Sequence, residues 1–220
     1  MSKGRIKIFL VDDHPLVREW LGNLIHQQPD LIVCGEADGA ALALDAITKT
    51  KPDIVIVDIA LKEGSGIELL RNLKAMRPAV SSIVLSMHDE QLYAERALRA
   101  GARGYIMKRE ATKNVIAGIR EVLAGRLYLS ERLKSLFSEK FLGGAPPGGS
   151  PIEKLSDREL EVFELLGQGC ETRKIAETLH VSMKTVQAFC ARIKEKLKLS
   201  TATELLREAI RWHETQHGKS

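Results

Sequence analysis

The sequence predicts an α/β, doubly wound domain on a five-stranded parallel sheet, followed by a small all-α domain. Three observations lead there. Five short apolar runs alternate with segments of helical period up to about residue 125, the pattern of repeated β-α units and a parallel sheet. Aspartates close the first and third of those runs, at Asp12, Asp13 and Asp58. Beyond a Gly/Pro-rich stretch from Gly143 to Pro151, the chain shows helical patterning with only short breaks.

The predicted strands are Ile6 to Val11, Leu31 to Cys34, Ile54 to Val57, Ile83 to Leu85 and Tyr105 to Met107. Ile54 to Val57 is an unbroken β-branched run, which suits a strand buried on both faces of a parallel sheet. Between the strands, Leu16, Trp20, Leu21, Leu24 and Ile25 mark a first helix with Pro15 near its start. Ala40 to Ile47, Ile67 to Met76, Glu90 to Ala100 and Thr112 to Leu123 follow, the fourth helix stopped by Gly101. Strict alternation implies right-handed crossovers, with helices on both faces.

Composition sets the remaining bounds. A chain of 220 residues, 44% hydrophobic and 28% charged, is long enough to bury a core in one large or two small domains. A net charge of only +4 means that any nucleic-acid function must rest on where the charge is concentrated. Cys34, Cys170 and Cys190 are odd in number and lack metal-ligand spacing, so they read as reduced thiols. The N-terminal MSKGRIKIFLVDDHP is basic and then apolar, but it ends in two aspartates rather than a small-residue cleavage site. No window reaches a membrane-spanning length. The expected location is the cytoplasm.

In a parallel sheet the C-terminal ends of the strands share one edge, where open α/β sheets bind their ligands. Asp12, Asp13 and Asp58 gather there, and three carboxylates at one edge need a counter-charge. Carboxylates, carbonyls and retained waters suit Mg²⁺, which in turn attracts phosphate oxygens. Ser86 ends the fourth strand and can donate a hydroxyl; Lys108 follows the fifth and offers a positive charge to a phosphoryl group. Taken singly, Asp58 reads as a cap, Ser86 as a turn residue and Lys108 as a solvated charge. Together at four strand ends they read as a phosphoryl site. Gly64 and Gly66 let the loop after Asp58 bend around an anion.

These residues resemble the receiver domain of two-component response regulators, whose fold is flavodoxin-like. The resemblance covers residues 5 to about 125. Asp12 and Asp13 fall on that family's acidic pair, Asp58 on its phosphoacceptor, Ser86 and Lys108 on its hydroxyl and lysine, and Tyr105 on its switch aromatic. The resemblance implies that Asp58 attacks a phosphohistidine of a sensor histidine kinase. It also implies that Mg²⁺ is held by Asp13, Asp58 and the carbonyl of Ala60, with Asp12 acting through water. One departure is Lys62, where the family often has proline.

After Gly125, Leu129, Leu133, Leu136, Phe137 and Phe141 fall at helical spacings around Ser130, a candidate cap. GGAPPGGSP, from Gly143 to Pro151, then reads as a linker. Further on, Ser156-Asp157-Arg158-Glu159 is a capping box opening a helix to Leu166, ended by Gly167 and Gly169. Thr172 to Leu179 is a short second helix, His180 and Val181 turn the chain, Ser182 caps, and Lys184 to Leu197 is a longer third helix. This is a helix-turn-helix. From residue 182 to 200 five basic residues, Lys184, Arg192, Lys194, Lys196 and Lys198, face Glu195 alone.

At 100° per residue, Val186, Phe189, Cys190, Ile193 and Leu197 share the packed face of the third helix. Lys184, Thr185, Gln187, Ala188 and Ala191 are the candidate DNA contacts, flanked by Arg192 and Lys194 for phosphates. The segments LSDRELEVFELLGQG, RKIAETLHVSMKTV and IKEKLKLSTATELL resemble the LuxR-type DNA-binding domain. With the receiver, the whole chain resembles a NarL/FixJ-type response regulator. Gln187 and Phe189 stand where that family often has a basic residue and a histidine, and Lys198 where it has glycine.

The expected organisation is a receiver over residues 1–126, a connecting helix and linker over 127–151, and a DNA-binding domain over 152–220. The expected function is a phosphorylation-controlled transcription regulator that is not an enzyme towards other substrates. Its partners would be a sensor kinase, double-stranded DNA and, when phosphorylated, a second copy of itself. Two alternatives stay open. One is a Mg²⁺-dependent phosphohydrolase with an Asp nucleophile, a class that resembles D-x-D after the first strand where this chain has Asp12-Asp13. The other is a dimer that binds DNA independently of phosphate.

Overall fold

The computed structural model describes residues 4–77, 79–142 and 151–217. The predicted linker, apart from Pro151, lies outside the described residues. The chain forms two compact units, Met1–Gly143 and Gly144–Ser220. Among the described residues no helix is long and apolar enough to cross a membrane.

In the first unit, β1 (Ile6–Val11), β2 (Leu31–Ala37), β3 (Ile54–Val57), β4 (Ser81–Ser86) and β5 (Gly104–Met107) form one sheet, order β2-β1-β3-β4-β5, with every pairing parallel. The helices are α1 (Pro15–His26), α2 (Ala40–Thr50), α3 (Gly66–Met76), α4 (Glu90–Ala100) and α5 (Ala111–Leu123). This is the predicted fold class. All four residues of β3 are buried, as its β-branched run requires. Ile8, Leu10, Ile54, Ile56, Ile83, Leu85 and Ile106 form one core with Leu21 and Ile25 of α1 and Val115, Ile119 and Val122 of α5. The alternate residues Phe9, Val11, Val55, Val57, Val84 and Tyr105 are also buried, so the sheet is covered on both faces.

Several details differ from expectation, two of them in β2 and α1. Strand β2 continues through Gly35 and Glu36 to Ala37, because ladder pairing with β1 rather than apolar character sustains it. Leu16, placed by spacing on the apolar stripe of α1, is 80% exposed; it lies in the first turn, past the end of β1 at the acidic edge.

Register aligns the strand ends. Val11 pairs with Val57, Val57 with Val84, and Ser86 with Met107. Asp12, Asp58, Ser86 and Lys108 therefore fall on one edge of the sheet. The Asp58 amide donates to the Val11 carbonyl at 2.8 Å, and the Asp12 amide to Ala37 at 3.1 Å. At Gly66 a Cβ would lie 2.0 Å from the Asp58 carbonyl oxygen, so only glycine lets α3 start this close to the site.

Helix α6 (Glu131–Leu142) packs against α4 with Leu133 fully buried and Leu136 and Phe137 half-buried. Ser130 caps it as expected, its Oγ accepting the Leu133 amide at 3.2 Å. The side chain of Phe141 lies outside the described residues.

The second unit consists of α7 (Asp157–Gly167), α8 (Thr172–Thr178), α9 (Met183–Leu197) and α10 (Ala202–His217). The Ser156–Glu159 capping box is present in both directions. Gly167 is the last helical residue of α7 rather than its terminator, and a Cβ there would meet the Ala209 carbonyl oxygen at 2.6 Å. It lets α10 pack closely on α7, where Phe163 and Trp212 rings lie 5.5 Å apart. The chain turns at His180, whose φ of 52° is left-handed, and Ser182 caps α9 through the Thr185 amide at 3.0 Å.

Candidate functional sites: the acidic sheet edge and helix α9

The acidic edge is built around a lysine. Lys108 Nζ lies 2.6 Å from Asp58 Oδ2 and 2.7 Å from Asp12 Oδ2, with both carboxylates 3% exposed. Burial pushes the Asp58 carboxyl above its ordinary range; the Lys108 charge pulls it down, the neighbouring Asp12 charge pushes it up, and the net shift is upward. Burial works against the Lys108 ammonium, but Asp58 and Asp12 outweigh it and raise its pKa. The lysine is thus held charged.

Asp13 stands beside this pair. Its Oδ1 is buried and accepts no hydrogen bond; His14 Nδ1 is 2.7 Å away but hydrogen-bonds to Asp12 Oδ1 at 3.2 Å instead. One ligand atom each from Asp12, Asp13, His14 and Asp58 lies within 4.8 Å of the others. An orphaned buried carboxylate oxygen among three carboxylates and one imidazole fits a divalent cation. Ala60 follows on the loop, its amide donating to Asp58 Oδ1 at 3.4 Å.

Ser86 is fully buried, and its Oγ accepts the His88 amide at 3.3 Å. Tyr105 is 1% exposed, so its ring already occupies the interior, and its hydroxyl donates to the His88 carbonyl at 2.8 Å. His88 thereby links the hydroxyl and the aromatic that the sequence singled out. Arg18 is a further organiser, donating from Nη1 to the Asp12 carbonyl at 2.5 Å and pairing with Glu36 at 3.2 Å. Sequence reasoning missed His14, Arg18 and His88. For His14 the signal was its position directly after the acidic pair.

On α9, Val186 and Ile193 are buried while Phe189, Cys190 and Leu197 are half-buried. Lys184, Gln187, Ala188, Ala191 and Arg192 are exposed. Thr185 is half-buried, its Oγ1 2.8 Å from Ser182 Oγ. Lys194 is also half-buried and, with Gln187 and Ala191, lines a groove shared with Leu206 and Ile210 of α10. The Arg192 guanidinium lies 5.8 Å from the centre of the Phe189 ring, a cation–π distance. Lys196 is neutralised by Glu159 of α7 at 2.5 Å, which removes one of the five basic groups counted along this segment. Burial raises the Glu159 carboxyl, but hydrogen bonds from Lys196 and the Ser156 amide outweigh it and hold Glu159 below its ordinary value.

Comparison with known proteins assigns a family to each part of the chain. The family described as response regulator receiver domain matches residues 8–120, and bacterial regulatory proteins, luxR family, matches 153–209. The DNA-binding transcriptional activator DevR/DosR of Mycobacterium tuberculosis is 33% identical, over 90% of this chain and 91% of its own. Transcriptional activator protein ExaE of Pseudomonas putida is 34% identical, over 92% and 95%. Among solved structures, a LuxR-family two-component response regulator from Aurantimonas is 34% identical with a TM-score of 0.59, covering 63% of this chain and 99% of that one. Salmonella RcsB bound to promoter rprA with the phosphomimetic BeF3⁻ shares the fold at 24% identity and a TM-score of 0.62, covering 93% and 98%. Matched at both ends and related over nine-tenths of its length, the chain belongs to the response regulators that join a receiver domain to a LuxR-type DNA-binding domain.

Proposed function

We propose that Asp58 accepts a phosphoryl group from the phosphohistidine of a sensor kinase, and that this controls DNA binding by the C-terminal unit. The observation that carries the proposal is Lys108 bridging Asp58 and Asp12 at a buried sheet edge. A carboxylate oxygen of Asp58 attacks phosphorus, the P–N bond breaks with its electron pair leaving on the imidazole, and an acyl phosphate forms. Lys108 is placed to pair with a phosphoryl oxygen, and Ser86 to donate its hydroxyl. Asp13, Asp58 and the carbonyl of Ala60, with Asp12 through water, would hold Mg²⁺, which would supply further neutralisation of the transferred charge. Tyr105, tied with Ser86 to His88, is the element that carries the change towards α4 and a dimer surface.

Residues 1–126 act as the acceptor, 127–151 as connector and 152–220 as output, in the cytoplasm. In the output domain α9 enters the major groove. Lys184, Thr185, Gln187, Ala188 and Ala191 face the bases, and Arg192 and Lys194 the phosphates. Exposure of the first helical turns and the capped N-terminus of α9 support this orientation.

Acetyl phosphate with Mg²⁺ tests the proposal. The wild-type chain should gain one acid-stable, base-labile phosphoryl group and bind promoter DNA more tightly, and Asp58→Asn should gain none. Labelling of Asp58→Asn at the wild-type rate, or steady turnover of small phosphoesters, would remove Asp58 from this role.

A further inference from the structure

We infer that Phe189 is a positioning residue for DNA binding: its ring holds the Arg192 guanidinium over its face and leaves every N–H donor free for a backbone phosphate. The inference rests on the reading above that α9 enters the major groove with Arg192 towards the phosphates.

Phe189 sits at the edge of the packed face of α9. Val186, three residues before it, and Ile193, four after it, are fully buried, whereas Phe189 is half-buried. The helix anchors the base of the side chain while part of the ring stays open to solvent. Arg192 follows at i+3, a spacing at which helix side chains meet, and it is exposed. Its guanidinium carbon stands over the Phe189 ring, 5.8 Å from the centroid. Side chains of an α-helix lean towards its N-terminus, so this contact draws Arg192 back towards the turn that carries Gln187 and Ala188, both exposed.

Two carboxylates define the alternative. Lys196 is paired with Glu159 at 2.5 Å, so its charge is neutralised within the domain. Glu195 lies three residues beyond Arg192, equally within helical reach, yet among the described residues it forms no ion pair with Arg192. A carboxylate partner would occupy guanidinium donors and cancel the charge that phosphate binding needs. An aromatic ring does neither. The negative face of its quadrupole attracts the cation and leaves the N–H groups around the guanidinium rim unused.

A long exposed side chain gives up rotamer freedom when it binds, and a ring that already restrains it lowers that loss. Phe189 also stands where the LuxR-type pattern often has histidine. A histidine would repel Arg192 whenever it was protonated, whereas a phenyl ring holds the cation at any pH.

The test measures DNA affinity of the full chain across a salt series, on a duplex enriched by this chain from a random pool and on its scrambled counterpart. The phenylalanine at 189 is replaced in turn by its mono-, di- and trifluorinated forms, which keep the shape of the ring while withdrawing charge from its face. Affinity should fall stepwise and alike on both duplexes, by about two- to fivefold at the third fluorine, the size of an exposed cation–π contact. Arg192→Ala should itself bind both duplexes more weakly, with a salt slope reduced by about 1, and in that background the fluorinated series should be flat. A flat series with Arg192 present, or the same trend with and without it, overturns the role of Phe189 and leaves Arg192 as a phosphate contact. Full affinity and an unchanged salt slope in Arg192→Ala overturn the placement of Arg192 itself.

Discussion

Ser130 donates its hydroxyl proton to the Glu90 carboxylate at 2.9 Å while the same oxygen accepts the Leu133 amide. One side chain thus caps α6 and satisfies a buried acid in the first turn of α4. Helix α4 begins directly after the loop in which His88 joins Ser86 to Tyr105. The starts of α4 and α6 are held together by this contact. Ser130→Ala should cost about 1 kcal/mol in lost capping, and it leaves Glu90 without this donor. Hydrogen exchange at the Leu133 amide should then quicken several-fold. Exchange unchanged from wild type would mean that the cap contributes nothing to the helix.

The raised pKa of Asp58 makes a second prediction. A carboxyl whose folded value exceeds its unfolded value, about 3.9, contributes stability below that value and loses it as pH rises through the folded value. Ionised Asp58 is therefore a strain on the first unit at neutral pH. Asp58→Asn should raise the unfolding temperature of that unit at pH 7, and the gain should shrink as pH falls towards 4. Mg²⁺ should narrow the gap by stabilising wild type through binding. Thermal scans at several pH values, with and without Mg²⁺, check both statements; a variant less stable than wild type at pH 7 contradicts them.

In the second unit the sign is reversed. Glu159 has a folded pKa below its unfolded one, so its contribution is present above about 4.3 and is lost as pH falls through the lower folded value. Glu159→Gln removes the ion pair with Lys196 between α7 and α9. Its denaturation midpoint should lie below that of wild type at pH 7, with the difference fading in acid. Parallel pH profiles for the two proteins would show that the pair adds no stability.

The strands and the acidic edge were legible in the sequence because both follow from a short rule. β-branched runs define buried strands, and parallel strands bring their C-terminal residues together, so Asp12, Asp58, Ser86 and Lys108 meet without any knowledge of side-chain conformation. What was illegible depends on tertiary detail. Gly35 and Glu36 are strand residues only because β1 pairs with them. His88 matters through its backbone amide and carbonyl, which no residue type announces. Helix α10 was not delimited, although Thr201 and Glu204 form a reciprocal cap at its start: Thr201 Oγ1 accepts the Glu204 amide at 3.1 Å, and Glu204 Oε2 the Thr201 amide at 3.2 Å. Nor could the sequence show that Lys196 is occupied by Glu159 from another helix.

Helix α9 supports the last prediction, which separates base reading from charge. Gln187, Ala188 and Ala191 are exposed, Gln187 one turn into the helix, and in the proposed orientation the two small side chains would let the backbone approach the base edges. A glutamine so placed can pair bidentately with adenine. Gln187→Ala should cost about 1–3 kcal/mol on the preferred site and relax specificity at that position. Lys194 lies two turns further along and is half-buried in the groove against α10; in the proposed orientation its ammonium would reach backbone phosphate rather than a base. Lys194→Ala should weaken all sequences alike and reduce the salt slope by about 1. Binding of both variants to preferred and scrambled duplexes across a salt series distinguishes the roles. Equal losses on the two duplexes for Gln187→Ala would move base recognition away from this face of the helix.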